Sequence, residues 1–228
     1  MPDHAHIYES EAEKYHLLIS KQPNLAPYLD EIRPFAGLDI VDLGAGTGRL
    51  SCVVAPAANS LVALDASESM LHVTATRLKQ AGLTNWTTKQ ADHRNIPLYE
   101  QSADLIVAGW TICYLANSND PAWEQNLADV IAEMKRVLRP GGTLIILETM
   151  GTGSETPNPP DFLREYYARL VEAYGFSHKW IRTDYEFESV EQAVELTRFF
   201  FGEQLADDVH AQKLTRVPEC AGIWWLHV

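Results

Sequence analysis

The pattern of apolar and polar positions changes character near residue 38. Before it, Ile7, Tyr8, Ala12, Tyr15, Leu18 and Ile19 recur at helical spacing. Pro23 and Pro34 then bracket a second short helix carrying Leu25, Tyr28, Leu29 and Ile32. From Leu38 onward, short apolar runs alternate with amphipathic stretches. Residues 38–43 read as a buried strand, about 49–58 as a helix, and 60–65 as a second strand. Ser67 can cap a helix with Met70, Leu71, Ala75 and Leu78 on one face, closed by Gly82. Residues 85–89 form a third strand, polar enough to belong near an edge, whereas 104–109 is almost wholly apolar, as a central parallel strand should be.

Asp120-Pro121 opens a long helix whose stripe is Trp123, Leu127, Val130, Ile131, Met134, Val137 and Leu138. Arg139-Pro140-Gly141-Gly142 ends it, and 143–147 is a fifth strand. Strands alternating with helices at this spacing predict an α/β, Rossmann-like, doubly wound sheet with right-handed crossovers. Beyond it, 151–160 is a Gly/Pro/Ser/Thr-rich loop, 162–174 is helical and 180–188 alternates as a strand. Ser189-Val190-Glu191-Gln192 carries a capping-box pattern for a helix through Phe201, and 222–228 is a final strand. We expect one domain over 1–228: an N-terminal helical cap (1–36), a ligand-binding core (37–149), and a substrate-side region with the last strands (150–228).

Composition narrows the class. At 228 residues, with 46% hydrophobic and 21% charged residues, the chain is long and apolar enough to build a full core. No run approaches a membrane span, and the polar start lacks the basic-then-apolar layout of a secretory signal, so the protein reads as soluble and cytoplasmic. A net charge of −13 disfavours a nucleic-acid partner, whose phosphates would call for a basic stripe. Cys52, Cys113 and Cys220 are scattered, which fits a reducing compartment and argues against a structural metal site.

The most informative stretch is Val41-Asp42-Leu43-Gly44-Ala45-Gly46-Thr47-Gly48-Arg49-Leu50, a strand running into a glycine turn and then a helix. Such a turn lets a ligand touch the main chain. Dinucleotide sites want a third glycine where Arg49 stands, and a pyrophosphate tolerates no carboxylate beside it. Asp42 therefore favours a ligand bearing an ammonium group, although it can also simply bond neighbouring amides. Asp65, at the end of the second strand, falls at the interval where a carboxylate takes ribose hydroxyls.

Val41 to Leu50, Leu64-Asp65-Ala66-Ser67, Gln90-Ala91-Asp92 and Arg136-Val137-Leu138-Arg139-Pro140-Gly141-Gly142 together resemble the ordered motifs of class I S-adenosylmethionine-dependent methyltransferases. The resemblance covers about residues 38–149. It implies a seven-stranded, mainly parallel sheet with a reversed last strand, and the sequence itself shows a helical insertion, Ser189 to Pro218, before that strand. It also implies S-adenosylmethionine as cofactor and S-adenosylhomocysteine as product. By it, Gly44, Ala45, Gly46 and Gly48 lie against the methionine portion and sugar, Asp65 holds the ribose, and Ala66 and Met70 cover the adenine. Asp92 and the backbone of His93 read the adenine edge, while Gly109 and Trp110 bound the methionine end. A methionine on a helix face is more often plain core.

Methyl transfer by in-line displacement needs neither metal nor covalent intermediate, so positioning can supply most of the rate and no catalytic residue is assigned. Tyr15, His16, Tyr114 and Glu148 are candidates to face the acceptor. Tyr166, Tyr167, Tyr174, Phe199, Phe200 and Phe201 could line an apolar pocket, with ordinary core the commoner role for such stripes. The Asn-Pro-Pro-aromatic motif of amino-methylating DNA and RNA enzymes is missing after the fourth strand, where Ala108-Gly109-Trp110-Thr111-Ile112 stands. The expectation is methyl transfer to a small molecule. Two alternatives are a non-catalytic S-adenosylmethionine-binding protein and, against Arg49 and Asp42, an NAD-dependent dehydrogenase.

Overall fold

The computed structural model describes residues 2–228. Three short helices come first: α1 (His4–Ser10), α2 (Ala12–Ile19) and α3 (Ala26–Ile32). The single helix expected over 7–19 is two, because the backbone breaks at Glu11 (φ −129°, ψ 31°). Both pieces turn apolar side chains toward Met70 and Val73, so one stripe in the sequence fits a bent pair as well as a straight helix.

The core alternates as expected: β1 (Asp39–Leu43), α4 (Ser51–Val54), β2 (Ser60–Asp65), α5 (Glu68–Gln80), β3 (Trp86–Gln90), β4 (Ala103–Gly109), α6 (Trp123–Val137) and β5 (Leu138–Thr152). Helix α4 is shorter than expected, since Pro56 has no N–H to extend it. Ser67 caps α5 as foreseen, its Oγ accepting from Met70 N–H. Then come α7 (Asp161–Glu172), β6 (Ser177–Arg182), β7 (Tyr185–Glu186), α8 (Val190–Phe201), α9 (Glu203–Gln212), β8 (Arg216–Val217) and β9 (Glu219–His227). The seven-stranded sheet runs β3-β2-β1-β4-β5-β9-β6, with β9 antiparallel to both neighbours, and β7-β8 form a separate ribbon.

The strand expected over 180–188 is therefore split between two sheets. The chain leaves the main sheet at Thr183-Asp184, where the Asp184 carboxylate accepts from Arg182, from Arg216 and from the Glu219 N–H at 3.0 Å. Helix α9, unresolved by periodicity, begins after Gly202, whose φ of +94° ends α8.

Side chains alternate across the sheet. Val41, Leu43, Ile106, Leu144 and Ile146 face the stripe of α6 together with α7, while Ile40, Leu105, Val107, Ile145 and Leu147 face α3 and α4. The stripe read from sequence on α6 is buried throughout. Leu18 of α2 joins Tyr185, Leu196 and Val209 in a satellite core, which ties the N-terminal helices to the segment before β9. No helix among the described residues is long and apolar enough to cross a membrane.

Candidate active site

Where β1 ends, the chain turns through Gly44 (φ +74°), Gly46 (φ +55°) and Gly48 (φ +83°), backbone angles that L side chains rarely adopt. Gly44 is required twice over, because a Cβ there would stand 2.1 Å from Thr111 Oγ1. A Cβ on Gly46 would meet nothing and point into open space. The turn is held from both sides. Gly44 and Ala45 N–H both donate to the Leu64 carbonyl at 2.7 and 2.8 Å. From α5, Thr74 Oγ1 donates to the Gly46 carbonyl (2.7 Å) and Arg77 Nη1 to that of Thr47 (2.6 Å).

This turn floors a cavity of about 610 Å³ at the carboxyl edge of the sheet. Of the residues singled out from sequence, Gly44, Ala45, Gly46, Asp65, Ala66, Met70, Asp92, His93, Gly109 and Trp110 line it. The carboxyl ends of β1, β2, β3 and β4 thus converge on one space, as open α/β sheets dictate for ligand sites. Asp65 Oδ2 accepts from Gly46 N–H and Oδ1 from Ser67 N–H, both at 2.8 Å. Each oxygen retains a lone pair for a further donor. Asp92 is gripped by Arg94 at 2.6 and 3.0 Å, which holds its carboxyl down at about 2. His93 is nearly buried, with Nε2 2.6 Å from Thr111 Oγ1, and burial lowers its pKa. Met70 lines the cavity with only 2% exposure and packs chiefly with Ala12 and Val73.

Two expectations are corrected. Asp42 lies beneath the turn and does not line the cavity: it is 1% exposed, and its Oδ2 accepts from Ser51 Oγ at 2.6 Å. Burial pushes its carboxyl up to about 7. Its side chain braces the turn from below. Gly48 also lies outside the lining, and a Cβ there would stand 3.1 Å from Thr74 Oγ1.

Helices α1 and α2 close the opposite wall. Tyr8 and Tyr114 share a 2.5 Å hydroxyl–hydroxyl hydrogen bond, and Tyr15 packs edge-on to Tyr8. Burial raises all three phenols, Tyr15 to about 12, so they stay protonated at neutral pH. Tyr15 and Tyr114 line the cavity, whereas His16 and Glu148 do not. Glu148 is fully buried under the Cys113 N–H (2.9 Å), and burial pushes it up to about 7.

The expected aromatic pocket does not assemble. Tyr166 and Tyr167 are core behind the sheet, with Tyr174 packed against that core, Phe201 packs in the satellite core, and Phe199 lines a separate groove under Lys14 of α2. Only Phe200 comes near the cavity, stacked on the lining residue His4 at 4.4 Å. Sequence reasoning missed His4, Tyr8, Thr111 and Arg49 as lining residues. Arg49 was visible only as a missing glycine. Its guanidinium carbon lies 3.5 Å from the Trp110 ring centroid. No group of three or more His, Cys, Asp or Glu among the described residues is placed to hold a metal ion.

This strand order, reversed strand and glycine turn define the class I methyltransferase fold. Residues 41–146 match the family model described as a methyltransferase domain, and the motif order is similar to that of class I S-adenosylmethionine-dependent methyltransferases. A demethylmenaquinone methyltransferase of Lactococcus lactis is 31% identical over 147 residues, covering 61% of this chain and 54% of that protein. A ubiquinone/menaquinone biosynthesis C-methyltransferase of Saccharophagus degradans is 38% identical over 119 residues, covering 50% and 43%. The chain thus spans about half the length of these curated relatives. A solved S-adenosylmethionine-dependent methyltransferase from Aquifex aeolicus shares the fold with a TM-score of 0.57 at 18% identity, covering 99% of this chain and 94% of that one.

Proposed function

We propose that this chain binds S-adenosylmethionine in the cavity and transfers its methyl group to a small-molecule acceptor. The observation that carries this reading is the meeting of a pinned glycine turn with Asp65 in one cavity, at the ends of adjacent parallel strands. The open space before Gly46 and the spare lone pairs of Asp65 suit an amino-acid chain beside a ribose. Asp65 would hold the sugar, Gly44 to Gly46 the methionine chain, and Ala66 and Met70 the adenine face. Asp92, shared with Arg94, and the His93 backbone would sit at the ring edge, with Gly109 and Trp110 bounding the far end. When bound, the cofactor supplies an electrophilic methyl group on a sulfonium. The wall of Tyr8, Tyr15 and Tyr114 shields that end from water and leaves the acceptor to be oriented rather than covalently activated. The net charge of −13 favours a small molecule over nucleic acid.

Calorimetric titration with S-adenosylhomocysteine tests the reading, with NAD as control. We expect micromolar binding, about −8 kcal/mol, and none of NAD. Asp65→Ala removes charge-assisted bonds of about 1.5–3 kcal/mol each, so affinity should fall at least tenfold. Preference for NAD, or no binding of S-adenosylhomocysteine, would leave only the fold standing.

A further inference from the structure

Arg49 follows the glycine turn directly, and its guanidinium carbon lies over the Trp110 ring in the wall of the cavity. Nη2 is wholly buried and has no hydrogen-bond partner, and no carboxylate among the described residues comes within 4.0 Å of the side chain. Arg136 is satisfied by Glu133 and two carbonyls, and Arg182 and Arg216 by Asp184, whereas Arg33 shares with Arg49 a buried nitrogen without a partner. A guanidinium stays charged, and burying one unpaired costs several kcal/mol. Around it stand Tyr15, Tyr185 and the carboxyl of Glu219, which burial pushes up to about 7, but none of them hydrogen-bonds to Nη2.

The placement is also informative. Trp110 directly follows β4, and Glu219 begins β9, paired with Thr152 of β5. The guanidinium therefore lies on the β4–β5–β9 side of the edge, away from Asp65 on β2 and Asp92 after β3. Trp110 itself is held at φ +53°, its N–H donating to the Leu147 carbonyl at 2.7 Å. For a bulky residue this conformation costs about 1–3 kcal/mol. Two unfavourable features, a strained tryptophan and an unpaired arginine, thus coincide at one wall of one cavity.

We propose that Arg49, presented on the Trp110 face, is a carboxylate-binding residue of this cavity. A guanidinium fork matches a carboxylate with two parallel N–H···O bonds, and stacking on an indole fixes its plane. The inference rests on the methyltransferase reading for its ligands. Two carboxylates would match it, that of an acidic acceptor and the cofactor's own α-carboxylate, and the test below separates them.

The test uses wild type, Arg49→Gln and Arg49→Lys with two pairs of probes. Benzoate and benzamide are titrated into the protein, with and without saturating S-adenosylhomocysteine. S-Adenosylhomocysteine and its decarboxylated analogue are titrated into the free protein. Loss of a tenfold or greater preference for benzoate over benzamide in Arg49→Gln, partly kept in Arg49→Lys, supports the site and assigns it to the acceptor. A tenfold loss for S-adenosylhomocysteine, but not for its decarboxylated analogue, supports it and assigns it to the cofactor. Unchanged affinities for both pairs in Arg49→Gln overturn it. Thermal unfolding separates binding from folding: removal of an unpaired buried charge leaves the midpoint equal or higher, whereas a structural arginine would lower it. Wild type that fails to bind S-adenosylhomocysteine defeats the methyltransferase reading, and the benzoate pair still reports on Arg49.

Discussion

Replacing Asp42 by asparagine probes the buried brace under the glycine turn. Asp42 is 1% exposed, bonded through Oδ2 to Ser51 and unpartnered at Oδ1, and burial raises its carboxyl from 3.8 to about 7. The native state therefore holds this proton more tightly than the unfolded chain does. The resulting stability is fully present below the unfolded value, about 3.9, and is lost as the pH rises through about 7. Between pH 5 and 7 the unfolded carboxyl is ionised while the native one is still largely protonated. Two pH units at about 1.4 kcal/mol each give about 3 kcal/mol as an upper bound. Asparagine keeps the shape and does not titrate. Urea unfolding of both proteins at pH 5 and pH 8 isolates the effect, because Glu148, Glu219 and the histidines titrate in both and cancel in the difference. The stability of Asp42→Asn relative to wild type should improve by about 2–3 kcal/mol on going from pH 5 to pH 8. A difference that stays constant, or that moves toward wild type, would show that Asp42 is ionised in the native protein.

Gly44→Ala forces a side chain to φ +74° and into Thr111. The conformation costs about 1–2 kcal/mol and the overlap about 1–3 kcal/mol, measured by urea unfolding. Adding Thr111→Gly should recover the overlap share only; full recovery would mean the backbone angle is unstrained. Leu127→Ala empties a fully buried site on α6 and should cost about 2–5 kcal/mol. The folded fraction should keep its S-adenosylhomocysteine affinity, since α6 packs on the sheet face away from the cavity edge; a tenfold loss of affinity would contradict that separation.

The regular half of this fold was legible because its signals are local. The alternation from β1 to β5 is written in short apolar runs, Ser67 marks the start of α5, and the α6 stripe is continuous. The glycine turn was legible because Gly44 and Gly46 adopt backbone angles that L side chains rarely take. What failed to show depends on contacts distant in sequence. Asp184 breaks a strand by gathering Arg216 and the Glu219 amide, more than thirty residues on. Arg49 joins the site through Trp110, some sixty residues on and just after β4, whose ring lies under its guanidinium. Asp42 misled for the opposite reason: its position beside the turn was plain, but alternation along β1 points its side chain under the turn and away from the cavity.

The place of β9 bears on how the chain can be made. It fills the gap between β5 and β6, yet α7, β6, the β7–β8 ribbon, α8 and α9 are all synthesised before it. At ~5–20 residues per second, β5 emerges several seconds ahead of its outer partner. Throughout that interval Leu144, Ile145, Ile146 and Leu147 offer an apolar strand with one row of backbone groups unpaired, the kind of edge that recruits other chains. A nascent chain that stalls short of residue 219 would therefore be left sticky in the middle of its sheet. Expression yield should depend on keeping that edge covered by chaperones at least as much as on the stability of the finished protein.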